Sequence, residues 1–301
     1  MKGSLVPVFS RSSALALFGA ALVLPSCGSG SSGIAVGSKN FTEEVLLGEL
    51  YAQVLEKHGL HVNRKLNLGG TDIAMAALQR GEIDLYPEYT GTALLVQLKE
   101  APLASARAIY DRVKAAYAKK YDLIWLAPAP MNDTQALATT RALAAKDHLA
   151  TLSDLAAAAP RLRLGAVPEF LERPDGLPGL QKAYGGFHFK ETHLIDIGLK
   201  YKALIEGDVD VVVAFGTDGA IEADHLLIFA DDKHFWPAYQ VAPVVRRATL
   251  VQYPAIAPAL NALAPLLTDA TMRGLNNQID GAQKREPADV AREFLVGHGL
   301  R

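Results

Sequence analysis

A helix end, a glycine, an acid and a strand occur in that order twice along this chain, and the repetition limits its architecture more than any other feature. Ala77-Leu78-Gln79-Arg80-Gly81-Glu82-Ile83-Asp84-Leu85 is echoed by Ala203-Leu204-Ile205-Glu206-Gly207-Asp208-Val209-Asp210-Val211. Continued without a gap, the two stretches set Tyr89 opposite Phe215. A second echo, at nearly the same offset, pairs Ile34-Ala35-Val36-Gly37 with Leu162-Arg163-Leu164-Gly165. A helix–glycine–strand unit is common in α/β proteins, so one echo alone says little. Two at nearly one offset predict two similar α/β lobes.

The rest of the pattern agrees with that architecture. Short apolar strands over 34–36, 62–66, 83–86, 162–167, 209–214 and 226–229 are interleaved with helices over 43–57, 72–80 and 104–121. Thr42 is read as the N-cap of the first helix, with Glu43 and Glu44 favourably placed in its first turn. The run 209–215 is polar only at Asp210, which suits a strand covered on both faces in a mostly parallel sheet. Alternation of this kind means an α/β fold. Ligands of open α/β sheets bind beyond the carboxyl ends of the strands. Two lobes would therefore bring Tyr89 and Phe215 to one cleft from opposite sides.

The N-terminus reads as targeting sequence. Lys2 and Arg11 precede an apolar stretch over 14–24 that is too short to span a bilayer. Leu24-Pro25-Ser26-Cys27 then resembles a bacterial lipobox, with Pro25 an unusual neighbour for the cleavage site. The expectation is a signal peptide over 1–26, an acylated Cys27 and a Gly/Ser tether through residue 33. The alternative for this lone cysteine is a free or buried thiol; an intramolecular disulfide is impossible. No later stretch is long and apolar enough to cross a membrane, so contact with the membrane is expected through the anchor only. A formal net charge of −2 without long charge runs argues against nucleic acid as a partner.

Aromatics make up only 7% of the residues, so an aromatic beyond a strand end carries information. A quaternary ammonium has no N–H to donate and is held by aromatic faces, whose quadrupoles attract its diffuse charge. A betaine adds a carboxylate, which calls for Lys, Arg or backbone N–H groups. On the enzyme side, the eight histidines form no His-Glu-x-x-His pattern, and neither a Cys/His cluster nor a Walker-type phosphate loop is present. Glu82, Asp84 and Glu88 are crowded, but Asp84 falls inside an expected strand and no nucleophile accompanies them. A binding protein without catalytic activity or cofactor is the expectation.

The chain resembles the glycine betaine/choline/carnitine-type osmoprotectant binding proteins of ABC importers. The matching stretches begin with Gly37-Ser38-Lys39-Asn40-Phe41-Thr42-Glu43-Glu44 and Asn67-Leu68-Gly69-Gly70-Thr71. They continue through Gly81-Glu82-Ile83-Asp84-Leu85-Tyr86-Pro87-Glu88-Tyr89-Thr90-Gly91-Thr92 and Asn132-Asp133-Thr134. Glu169-Phe170 with Arg173, Asp175 and Gly176, then Thr217-Asp218-Gly219 and Tyr239-Gln240-Val241-Ala242-Pro243-Val244-Val245, complete the set. The resemblance implies a two-lobed type II periplasmic-binding-protein fold that closes about a hinge. Lobe one would combine 34–130 with 237–301, and lobe two would hold 131–236. It also implies partners: a small quaternary-ammonium ligand, and an ABC permease with its ATPase.

Residue by residue, Tyr89 and Tyr239 fall where the family places cage tyrosines. Lys39, Thr92 and Arg173 fall where it binds the ligand carboxylate, and Asp133 and Glu169 where acids support the pocket or its closure. Two positions depart from the pattern. Gln135 stands where an aromatic is usual, and Phe215 where a tyrosine is common. The first removes a face and adds hydrogen-bonding capacity; the second loses only a hydroxyl. Glycine betaine is the expected ligand type, with ergothioneine or choline as alternatives and a ligand-sensing module as a remote one. From the residues alone, Lys39 reads as a solvated helix-start residue, Arg173 as a surface partner of Glu169, and Phe41 and Tyr86 as core.

Overall fold

The computed structural model describes residues 33–301; the expected signal segment and Cys27 lie outside them. Among the described residues ten strands are β1 Ile34–Gly37, β2 Val62–Lys65, β3 Leu85–Tyr89, β4 Leu123–Trp125, β5 Gln135–Thr140, β6 Arg163–Ala166, β7 Glu191–Leu194, β8 Val211–Phe215, β9 Leu226–Ile228 and β10 Val241–Arg246. They form two five-stranded sheets, ordered β2-β1-β3-β10-β4 and β7-β6-β8-β5-β9. In the first sheet β1 pairs parallel with β2 and β3, and β10 runs antiparallel between β3 and β4. In the second, β6 pairs parallel with β7 and β8, and β5 runs antiparallel between β8 and β9. The two sheets thus share one plan, and each lobe is a sheet covered by helices. Among the described residues no helix is long and apolar enough to cross a membrane.

The sequence echo is reproduced at the level of single hydrogen bonds. Helices Thr71–Arg80 and Lys200–Glu206 end on Gly81 and Gly207, at φ +74° and +79°. The amides of these glycines donate to the carbonyls of Ala77 and Leu78 in one lobe and of Ala203 and Leu204 in the other. The second acid after each glycine then bonds the neighbouring parallel strand, β1 in one sheet and β6 in the other. Asp84 N donates to Ala35 O at 2.7 Å, and Ala35 N returns to Asp84 Oδ2 at 2.9 Å. Asp210 N donates to Arg163 O at 2.9 Å, and Arg163 N returns to Asp210 Oδ2 at 2.8 Å. A carboxylate here replaces one rung of the ladder. That is why β3 and β8 begin at Leu85 and Val211, later than the expected 83 and 209, and why Asp84 lies just outside its strand.

Both faces of each sheet are covered, as the apolar run over 209–215 requires. Val211 and Val213 pack with Leu152, Leu155 and Leu180, whereas Val212 and Ala214 pack with Leu204 on the other face. The alternation is the period of two of a pleated strand. In the first lobe Leu46, Leu50 and Leu260 cover one face, and Leu78, Ile109, Tyr117 and Trp125 the other. Tyr86 belongs to this second group and is fully buried. Thr42 does not cap its helix. Helix Thr42–Lys57 has Phe41 as its extended N-cap residue without a side-chain cap, and Thr42 Oγ1 instead donates to Asp280 Oδ1 at 2.7 Å.

Gly207 gives a direct test of the helix stop. A Cβ there would meet no atom within 4 Å, so only the left-handed backbone opposes a side chain. Gly207→Ala is expected to lower stability by about 1–2 kcal/mol in urea denaturation, and Gly207→Asn by less.

Candidate functional site

The strand pairings that build the sheets also bring two chain crossings to the strand ends. Val241 at the start of β10 pairs with Tyr89 at the end of β3. Gln135 at the start of β5 pairs with Phe215 at the end of β8. The crossings are tied to each other: Asp133 N donates to Tyr239 O at 3.2 Å, and Tyr239 N donates to Asn132 Oδ1 at 2.7 Å. Between the sheets lies a cavity of about 300 Å³. Its lining includes every position singled out from the sequence in the body of the chain: Lys39, Tyr89, Thr92, Asp133, Gln135, Glu169, Arg173, Phe215 and Tyr239. Two wider openings flank it, one past Phe41 and Phe215, the other past Glu169 and Arg173.

Several of these side chains have partners that the sequence did not indicate. Lys39 is no solvated helix-start residue; it is buried, 2.7 Å from Glu88 and 4.7 Å from the centre of the Tyr89 ring. Arg173 pairs with Asp175 rather than Glu169, donating through Nε at 2.8 Å and Nη2 at 2.6 Å, and Nη2 also lies 3.5 Å from Thr92 Oγ1. Asp175 Oδ2 accepts the Tyr239 hydroxyl at 2.7 Å as well, which links the lobes. Glu169 is exposed at the rim, yet a Cβ on Gly70 would lie 2.9 Å from its Oε1, so the lobes approach closely there. Gly91 is equally constrained, because a Cβ would fall 2.6–2.8 Å from the Tyr239 ring. Phe41 packs against the first lobe's core, as expected, but also lines the cavity and stacks with both Tyr89 and Phe215. It is the aromatic that the sequence reading missed, although it stands two residues beyond Lys39.

Behind Tyr89 is a buried carboxyl pair. Glu43 Oε1 accepts the Tyr89 hydroxyl at 2.8 Å, and Oε2 accepts from Asn276 Nδ2 at 2.8 Å. Thr217 Oγ1 lies 2.5 Å from Glu43 Oε2 and 2.7 Å from Asp133 Oδ1. A hydroxyl has one proton to donate, so one of these two short contacts needs a proton from a carboxyl. Burial pushes Glu43 up to about 7 and Asp133 well above the usual carboxylate range; the nearby charge of Asp218 raises both, and Glu43 raises Asp133 further. Glu44 is pushed up to about 8 by burial; the neighbouring Lys39 ammonium opposes the shift but lies nearer Glu88, at 2.7 Å against 3.6 Å.

The family model for the substrate-binding domain of ABC-type glycine betaine transport systems matches residues 32–296. The chain is 37% identical over 268 residues to the ergothioneine transport permease/ergothioneine binding protein EgtU of Helicobacter pylori (strain G27), covering 89% of this chain and 48% of that protein. It therefore spans about half that relative's length. It is 35% identical over 281 residues to the glycine betaine-binding protein YehZ of Escherichia coli (strain K12), covering 89% of this chain and 92% of that one. A crystal structure of a glycine betaine/carnitine/choline ABC transporter superposes with a TM-score of 0.72 at 32% identity, over 89% of this chain and 99% of that chain.

The buried acids tie stability to pH with a definite sign. Their folded-state values lie above the ordinary 4.5, so the folded chain holds more protons than the unfolded one between that pH and about 8. Stability is therefore greatest at the acid end of this window and falls as pH rises through it. Thermal melts between about pH 5 and pH 8 should show Tm falling with pH, and Glu43→Gln or Glu44→Gln should each flatten the slope.

Proposed function

The chain belongs to the family of substrate-binding domains of ABC-type glycine betaine transport systems, and from that membership we propose that it captures a small quaternary-ammonium zwitterion for an importer. Tyr89, Phe215 and Tyr239 offer aromatic faces to the ammonium, each contributing about 0.5–2 kcal/mol. Lys39, Thr92 and Arg173 serve the carboxylate. Asp133 and Glu169 support the pocket and its closure. The convergence of all these side chains on one cavity is the observation that carries the reading. No catalytic step and no cofactor enters it. The lobes exchange solute when open, close on the ligand, and deliver it to a membrane permease whose ATPase drives release.

With lobe one over 34–130 and 237–301 and lobe two over 131–236, the chain would cross the hinge twice. Substrate-binding proteins of ABC importers are extracytoplasmic, and we assign the anchor to Cys27. Metabolic labelling with palmitate should mark the wild type and leave Cys27→Ser unlabelled; equal labelling of both removes the assignment.

One observation favours a ligand larger than glycine betaine. Gln135 lines the cavity, is buried, and its side-chain amide makes no hydrogen bond among the described residues. Ergothioneine, a trimethylated histidine derivative, adds a ring with hydrogen-bonding atoms to the betaine group, and a relative is named for it. Calorimetric titration of the protein with glycine betaine, proline betaine, choline, carnitine and ergothioneine separates the possibilities. Saturable binding of one or more, weakened about tenfold or further by Tyr89→Ala, is the expected result. A folded protein that binds none of them would remove the quaternary-ammonium assignment.

A further inference from the structure

Phe41 stands in the cleft where position 135 supplies no aromatic face. It stands just before helix Thr42–Lys57 on extended backbone at φ −133° and ψ 159°, packed against the edge of the first lobe's core while lining the cavity. Its ring lies 5.7 Å from the Phe215 centroid at 21° and 6.2 Å from the Tyr89 centroid at 25°. Rings stacked directly face to face would sit at carbon contact distance, about 3.5–4 Å. At these longer separations near-parallel rings are offset, and part of each face stays open. Tyr89, Phe41 and Phe215 therefore form a stepped aromatic wall that starts in one lobe and ends in the other.

The outer members of that wall already serve protein cations. Lys39 Nζ lies 4.7 Å from the Tyr89 centroid, and Lys200 Nζ lies 4.2 Å from the Phe215 centroid. Both ammonium groups are held by carboxylates, Glu88 at 2.7 Å and Asp218 at 2.8 Å. The ring between them lines the central cavity and also the neighbouring opening that contains Lys200 and Asp218. Phe41 thus stands at the boundary of the two spaces. Its contact with Phe215 bridges lobes, so it forms only when they approach.

Taking the ligand class from the function proposed above, we propose that Phe41 is a specificity-determining residue: it supplies the aromatic face that Gln135 lacks, selects for the trimethylammonium charge, and shuts one mouth of the cavity against Phe215. Gln135 and Phe215 are cross-strand partners, so an aromatic at 135 would flank Phe215 within its own lobe. Supplying the face from the opposite lobe makes recognition of the cation depend on closure.

The test compares each quaternary amine with a near-isostere that lacks its methylated cation: glycine betaine with tert-butylacetate, and ergothioneine with thiohistidine. Affinities are measured for the wild type, Phe41→Leu, Phe41→Tyr and Tyr89→Ala. Leucine keeps apolar bulk and removes the quadrupole, so Phe41→Leu should reduce the preference for the quaternary member of a bound pair by roughly three- to thirtyfold. Phe41→Tyr should retain that preference, and release should be faster from Phe41→Leu than from Phe41→Tyr. Equal weakening of both members of a pair by Phe41→Leu would mean packing alone and would overturn the proposal. Full preference in Phe41→Leu, with loss of binding in Tyr89→Ala, would overturn it while leaving the proposed function intact. A wild type that binds neither glycine betaine nor ergothioneine overturns both.

Discussion

The hydrogen bonds between the two chain crossings are the constraint on which the site depends. Asp133 N to Tyr239 O and Tyr239 N to Asn132 Oδ1 hold the outgoing and returning segments side by side. From that junction one segment enters the second sheet at Gln135 and the other enters the first at Val241, each antiparallel to the strand that ends beside it. Tyr89, Gln135, Phe215 and Tyr239 are therefore neighbours by register. A slip of one residue in either pairing would turn these side chains to the opposite faces of their sheets, so the geometry of the cavity is as well specified as the cores beneath it.

The electrostatics follow from where those strands end. Glu43, Glu44, Glu88 and Asp133 are all buried close to the junction, and Lys39 is the buried cation among them. One ammonium cannot neutralise that many carboxylates, and the desolvation of an unpaired one is costly. The chain resolves the conflict by keeping protons. Lys39 lies nearest Glu88, Glu44 is pushed towards its neutral form, and Glu43 and Asp133 share the Thr217 hydroxyl. A positively charged ligand entering beside Tyr89 would favour the ionised form of Glu43, whose Oε1 accepts the Tyr89 hydroxyl.

Much of the fold was legible because it is written in local signals. The glycine stops at Gly81 and Gly207 and the acids that follow them mark the same turn twice, and the turn needs nothing from the rest of the chain. Strands β5 and β10 carry no comparable mark. Gln135-Ala136-Leu137-Ala138-Thr139-Thr140 is rich in alanine, and its strand identity comes from the partners on either side. The residues lining the cavity could be named from motif resemblance, but their partners could not. That Arg173 turns to Asp175, that Lys39 is buried against Glu88, and that Phe41 reaches from the edge of the core into the cleft all depend on the approach of elements distant in sequence. Thr42 shows the same limit, because Asp280 takes the hydroxyl that local preference assigns to a cap.

Closure must be balanced against contacts the protein makes with itself. Thr217 reaches Glu43 and Tyr239 reaches Asp175 across the cleft, and Glu169 nears Gly70. If these contacts alone held the lobes shut, a ligand could shift nothing, since it moves an equilibrium only by its differential affinity for the two states. Burial opposes the ionised forms of Glu43 and Asp133, a cost that any arrangement exposing them to water would relieve. Arg173 stands where the two lobes meet. Its guanidinium is already oriented by Asp175 in the second lobe and stands 3.5 Å from Thr92 in the first, a separation that a shared carboxylate could bridge. A solute able to join those two groups while its cation faces the aromatic wall would contribute only when both lobes are in place.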